Sequence, residues 1–263
     1  MVHIAAAPPK HLSAELLKKV ASLLGREIVD TRLLLAGEIP RIVSSCPEAG
    51  AADSMAQRMR EAGLLAFIVE DSELRNRPAG FRAHTARCRG GEVIFGNRLG
   101  AEVRVGASDA SLIIRGRIQS DAPEKASATK LKLNVAATLL TGGIPIMRRV
   151  AKGSAKEPLQ VEDFVKIYDR MSSDPRVEIY QNHVDYSFLG PELTPSAAGN
   201  FNIAVAKLRE WFPSAIFDKR LTGRYKTDAS ASGPAEALDI GCKLIYLCHL
   251  AMERMDSGTA LRA

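Results

Sequence analysis

Apolar positions along the chain fall into three regimes. Up to about residue 72 they recur at helical spacing between short, wholly apolar runs; from Phe81 they alternate every second residue; from about Pro195 the helical spacing returns. Side chains repeat every 3.6 residues on a helix and every two on a strand, so each change of period marks a change of element type.

In the first regime, residues 3 to 7 make a short apolar run that predicts a strand. Ser13 stands where its hydroxyl can cap a helix, and Glu15 follows in the first turn, at the positive end of the dipole. Leu12, Leu16, Leu17, Val20, Leu23 and Leu24 then form a stripe that Gly25 ends. A second short helix is expected over Val29 to Ala36, stopped by Gly37. "IPRIVSSC" reads as a strand, with Pro40 confined to its start or to an edge because proline has no N–H for a ladder. A third helix is expected over residues 47 to 63, with Met55, Met59 and Ala62 inside and Gly63 closing it; "LLAFIVED" predicts a buried strand. Residues 1–74 therefore predict a βααβαβ module, followed by a polar linker over residues 75–80 that contains Pro78 and Gly80.

In the second regime, "GEVIFGNRLGAEVRV" is a hairpin signal: Asn97 and Gly100 bound a four-residue turn, and Val93 and Phe95 face Val103 and Val105 or their neighbours. "ASLIIRGRIQ", "KLKLNV", "EDFVKIYDR" and "RVEIYQNHVDYSF" are further strand candidates, with a polar loop over residues 121–129. The third regime opens with Thr194 as N-cap and Pro195 at the first helical position; Phe201, Ala204, Val205, Leu208 and Phe212 make one stripe, and Pro213 ends it. Residues 81–213 thus predict a β-rich, barrel-like domain closed by an amphipathic helix. Residues 214–233 read as a flexible connector and residues 234–255 as a C-terminal helix lined by Leu238, Gly241, Leu244, Ile245, Cys248 and Met252. The fold class expected is α+β.

Two resemblances follow. Over residues 2–71 the element order, carried by "ELLKKVASLLG", "VDTRLLLAGEIPRIV" and "SMAQRMREAGLLAFIVE", resembles the C-terminal domain of the bacterial ribosomal stalk protein. That resemblance implies its fold. In that family the first helix docks translation factors through a basic face, and Lys18 falls where one such lysine would sit; of the family's glycine-rich link only Gly25 is kept, in "GREI". Residues 81–212, with antiparallel strands closed by one helix, resemble a pleckstrin-homology-like barrel, which implies a binding module.

Composition narrows the function classes. The net charge of +6 suits an anionic partner. Most cations are dispersed, with a local excess over Lys130 to Lys156: Lys130, Lys132, Arg148, Arg149, Lys152 and Lys156. Cys46, Cys88, Cys242 and Cys248 form no Cys-x-x-Cys pair, and no signal-like or membrane-spanning run is evident, so a bacterial, cytoplasmic protein with reduced thiols is expected.

Chemistry-bearing motifs are sparse. "TGGIPIMRR" lacks the spacing of a Walker phosphate loop, and Pro145 removes an N–H where a cradle would need one. His183, Asp185 and Ser187 would share one strand face, but neighbours on such a face stand roughly 7 Å apart, beyond hydrogen-bond reach. His84 and Cys88 lack further metal ligands nearby, and "RGRI" at 115–118 lacks stacking aromatics beside its cations. Glu157, Glu162, Asp163 and Asp169 read as solvated charges, and Cys248 as a small buried hydrophobe. No cofactor, metal or catalytic residue is expected. The leading expectation is a non-enzymatic binding or scaffold protein that meets another macromolecule, most simply a protein, through the basic segment. Two alternatives stand beside it: an enzyme with a site between the two modules around His183, needing a pocket with a carboxylate and a partly buried cation, and binding to nucleic acid or an anionic membrane.

Overall fold

β1 (Val2–Ala6) is the middle strand of the first sheet, and its neighbours arrive only after helices have covered one face. The computed structural model that shows this describes residues 1–76, 78, 80–120, 130–133, 147–150, 160–223 and 234–256. Its Cα atoms group into two units, one formed by Met1–Ile118 with Glu162–Ala263 and a smaller one by Gln119–Val161.

The larger unit continues from β1 through α1 (Ala14–Leu24), α2 (Ile28–Leu34), β2 (Arg41–Cys46), α3 (Ala49–Glu61), β3 (Ala66–Glu70) and α4 (Asp71–Arg75). The strand order is β2-β1-β3, with β1 antiparallel to both neighbours. The Ser13 hydroxyl accepts the Leu16 N–H at 3.1 Å, and Gly25 ends α1 at a φ of 61°, a left-handed conformation that favours a residue without Cβ. Ile4, Ala6, Val20, Val43, Ala52, Ala56 and Met59 form one buried cluster. Met59 is buried on the inner stripe of α3, as expected, together with Ala52 and Ala56, while Met55 and Ala62 are only partly buried. α4 was not foreseen. It forms because Asp71 pairs with Arg75 one turn on, at 2.6 Å, while Leu74 is buried.

Next come β4 (Phe81–Ala83), β5 (Thr85–Arg89), β6 (Glu92–Gly96), β7 (Glu102–Gly106) and β8 (Ala110–Ser120). The β6–β7 hairpin has the expected register, Val93 opposite Val105 and Phe95 opposite Val103. The Asn97 side chain accepts the N–H groups of Leu99 and Ala101, and Gly100 has a φ of 82°. The smaller unit contains β9 (Lys130–Leu133) paired antiparallel with β10 (Met147–Val150).

β11 (Gln160–Asp169), β12 (Val177–Tyr180), α5 (Ala197–Trp211), β13 (Ile216–Leu221) and α6 (Pro234–Asp256) complete the described chain. The fold class is α+β, as expected, with several sheets. Among the described strands none closes a barrel: β5-β6-β7 form one sheet and β13-β8-β11-β12-β4 another. α5 covers these strands as an amphipathic helix should, with Phe201, Val205, Leu208 and Phe212 buried among Val93, Phe95, Ile113, Val165 and Ile179.

Three local expectations need correction. β12 stops at Tyr180 and the chain continues in 3-10 turns over Gln181–His183 and Tyr186–Glu192. There the Asp185 carboxylate accepts the Ser187 N–H at 2.9 Å, a local bond that competes with ladder pairing, so His183, Asp185 and Ser187 do not alternate along a strand. α5 is capped by Ser196, whose hydroxyl accepts the Gly199 N–H, while the Thr194 hydroxyl bonds Asn200. Within the expected connector 214–233, Ile216–Leu221 form β13, an edge strand parallel to β8; residues 224–233 lie outside the described residues.

α6 is buried nearly all round, through Leu238, Ile240, Cys242, Leu244, Ile245, Leu247, Cys248 and Ala251. Its cluster takes Ala5, Phe67 and Val69 from the first sheet and Leu112, Phe164, Tyr168 and Leu221 from the five-stranded one. The C-terminal helix therefore packs on both expected modules.

Candidate contact segment and the ionic clusters

The basic segment is a two-stranded ladder where it is described. Lys130 and Lys132 lie on β9, Arg148 and Arg149 on β10; the register sets Lys132 opposite Arg148 and Lys130 opposite Val150. The remaining strand positions are Leu131, Leu133 and Met147, so the ladder holds cations and aliphatic residues and no acid. Like charges directly opposite one another destabilise a strand pair, and an anion brought to them relieves that cost. Lys152 and Lys156 lie outside the described residues.

In the larger unit the buried ionisable groups meet opposite charges within the fold. Asp218, on β13, accepts from Arg220 Nη2 at 2.6 Å and bonds His249 Nε2 on α6 at 2.9 Å, while Arg220 Nη1 donates to the Glu38 carbonyl at 3.2 Å. Burial pushes the Asp218 carboxyl up, but the hydrogen bonds from His249 and Arg220 outweigh it and hold the group well below the usual carboxylate range. A depressed carboxyl contributes stability that is full above its unfolded value, near pH 4, and lost as the pH falls toward its folded value. Asp218→Asn is therefore expected to lower the melting temperature at pH 7, and the gap from the parent should narrow between about pH 5 and pH 2. A gap independent of pH in circular-dichroism melts would contradict this.

Lys166 on β11 is buried, with Nζ 2.9 Å from Glu178 of β12 and 2.7 Å from Asp239 of α6. Burial opposes its charge, yet the surrounding acidic groups hold its pKa above the ordinary lysine value. Burial beside it pushes the Cys242 thiol up to about 12, so this cysteine is a protonated, packed group and no nucleophile at neutral pH. Cys248 is buried, as expected, and its thiol is likewise pushed up by burial. All four cysteines are free thiols. Lys243 of α6 donates to the carbonyls of Glu73 at 2.6 Å and Asn76 at 2.9 Å, and pairs with Asp174 at 3.1 Å. It is a cation neutralised where α4 ends.

Asp163, expected as a solvated charge, is buried between Arg115 at 2.8 Å and Arg117 at 2.7 Å. Burial raises its carboxyl and the two arginine hydrogen bonds outweigh that, leaving it lowered. The arginines of "RGRI" converge on this carboxylate because β8 and β11 are neighbours in the sheet.

His84 and His183 lie together in space. The His84 Nδ1–H donates to the His183 carbonyl at 2.6 Å, and the His84 carbonyl accepts the Asp185 N–H at 2.8 Å. Beside His84 is a small cleft walled by Ile179, Val184, Phe188 and Leu208 together with small residues. Its wall holds neither a carboxylate nor a cation, and Glu162 reaches only to 4.0 Å from His183. Cys88 lies on β5 and is exposed; among the described residues no three potential ligands meet in a metal-binding group.

Sequence reasoning did not find Lys166, Lys243 or the Asp218–His249 pair. Their partners come from elements far apart in the chain, so no local spacing announces them. Among the described residues no helix is long and apolar enough to cross a membrane. No protein-family model matches this chain, nor does any curated protein or any solved structure, so the reading of its function rests on its own geometry.

Proposed function

We propose that this chain is a binding protein whose basic segment, Lys130 to Lys156, engages an acidic surface. The observation that carries the reading is the β9–β10 ladder, in a unit of its own, with Lys132 set against Arg148 and no acid on either strand. The net charge of +6 and the local excess of cations over Lys130 to Lys156 suit an anionic partner.

The likeness of residues 2–71 to the ribosomal stalk domain belongs to the same proposal. It is supported by the β2-β1-β3 order and by α2, where Val29 and Leu33 stand one turn apart, 68% and 61% exposed. The module thus has an apolar face of its own to offer a partner.

The test is affinity capture from native lysate with the parent chain and with the triple variant Arg148→Glu, Arg149→Glu, Lys152→Glu. The principal partner should be lost with the variant and should leave the parent as salt is raised, because exposed charge pairs are screened beyond roughly 8 Å at physiological ionic strength. Retention of that partner by the triple variant at low salt would overturn the reading.

A further inference from the structure

We infer that the acidic surface met by the β9–β10 ladder is an anionic lipid bilayer. This inference rests on the acidic-surface reading above and names the surface. Strand positions alternate between two faces, and the pairing places Lys130, Lys132, Arg148 and Val150 on one face of the ladder and Leu131, Leu133, Met147 and Arg149 on the other. One face is cationic and the other aliphatic, each with a single exception. That amphipathic division is the chemistry of an interfacial element, in which binding combines buried apolar area with attraction to anionic headgroups.

The charge order along the chain agrees. Cations stand at 130 and 132, no charged residue occurs from 133 to 147, and cations resume at 148 and 149. The ladder is therefore the basic margin of an uncharged, largely aliphatic stretch. The site proposed is the ladder itself.

Composition separates lipid from nucleic acid. Residues 119–161 contain no aromatic residue and no histidine, so the unit has no platform on which bases stack. A phosphate-only contact would use the cationic face and leave Leu131, Leu133 and Met147 without a role. A lipid interface uses both faces, the cations at phosphate level and the aliphatic residues at the acyl boundary.

The test is cosedimentation of the full chain with phosphatidylcholine vesicles, with and without phosphatidylserine. Random-sequence RNA and poly-glutamate are assayed in parallel. The parent should bind phosphatidylserine vesicles, less so as salt rises. Lys132→Gln with Arg148→Gln should weaken that binding by about 25-fold, about fivefold for each surface cation removed. This variant removes the like-charge pair, so a purely structural role for these residues would leave the hairpin and its binding intact or improved. Leu131→Ser with Leu133→Ser should also reduce vesicle binding, while leaving binding to poly-glutamate unchanged. Vesicle binding that neither variant weakens overturns the inference. Charge-dependent binding to RNA or poly-glutamate without binding to vesicles overturns the lipid assignment and leaves the acidic-surface reading standing. Binding to none of the probes overturns both.

Discussion

Replacing Lys166 with alanine is expected to cost about 3–5 kcal/mol of stability, because it leaves the buried Glu178 carboxylate without its cation. Glu178 is largely removed from water: it is 6% exposed, and it also accepts from the Tyr180 hydroxyl at 3.3 Å. Asp239, the second partner, is more exposed on its side chain and suffers less. The expected result is a large fall in the urea midpoint with the slope retained, since the native fold is weakened and not expanded. Removing both charges together should behave differently. Lys166→Met with Glu178→Leu eliminates the desolvated ions as a pair, and such replacements are often neutral or stabilising by about 1–4 kcal/mol. Near-additive losses in the double variant, or a loss below about 1 kcal/mol for Lys166→Ala, would mean that the pair is solvated and not buried.

Gly116→Val is expected to destabilise the fold by steric conflict. A Cβ at this position would lie 2.3 Å and 2.5 Å from the Phe164 ring and 2.9 Å from the Leu221 Cβ. Phe164 is fully buried, with the Tyr180 ring centroid 6.2 Å away, so it has little room to move. Overpacking of this kind costs about 1–3 kcal/mol for a small intrusion, and the two further methyl groups of valine put the variant at or above the top of that range. In a chain of this length the melting temperature should fall by roughly 2–4 °C per kcal/mol. Gly241→Ala is the control. The Cβ there meets only the Leu221 Cδ2 at 3.4 Å, and alanine gains helix propensity over glycine by up to about 1 kcal/mol. It should be tolerated. Equal melting temperatures for Gly116→Val and the parent would show that β8 and β11 do not approach as closely as described.

The two substitutions also mark where local pattern stops being informative. β11 is buried on both faces: Phe164 and Tyr168 pack toward α6, while Val165 and Ile167 pack toward the cluster covered by α5. A strand with two buried faces loses the alternation that would reveal its orientation. Lys166 sits inside such a run, and nothing in "EDFVKIYDR" says that position 166 faces Asp239, which is 73 residues away. β13 escaped detection for a related reason. Its interior position is Asp218, so the residue that should read as apolar reads as charged; it is tolerated there because His249 and Arg220 supply hydrogen bonds.

Where an element depends on neighbours within a few residues, the amino-acid order was sufficient. The Ser13 cap and Gly25 stop of α1, the stripe of α5 and the Asn97–Gly100 turn with its register all follow from period and turn chemistry, as does the α+β class. The concentration of cations at Lys130 to Lys156 is equally plain in the letters. Tertiary structure alone decided that α6 packs on both expected domains, that the arginines of "RGRI" close on Asp163, and that the described strands form separate sheets and not a barrel. The reason is that periodicity reports which face of an element is apolar, whereas the choice of what that face meets is made by contacts between residues remote in the chain.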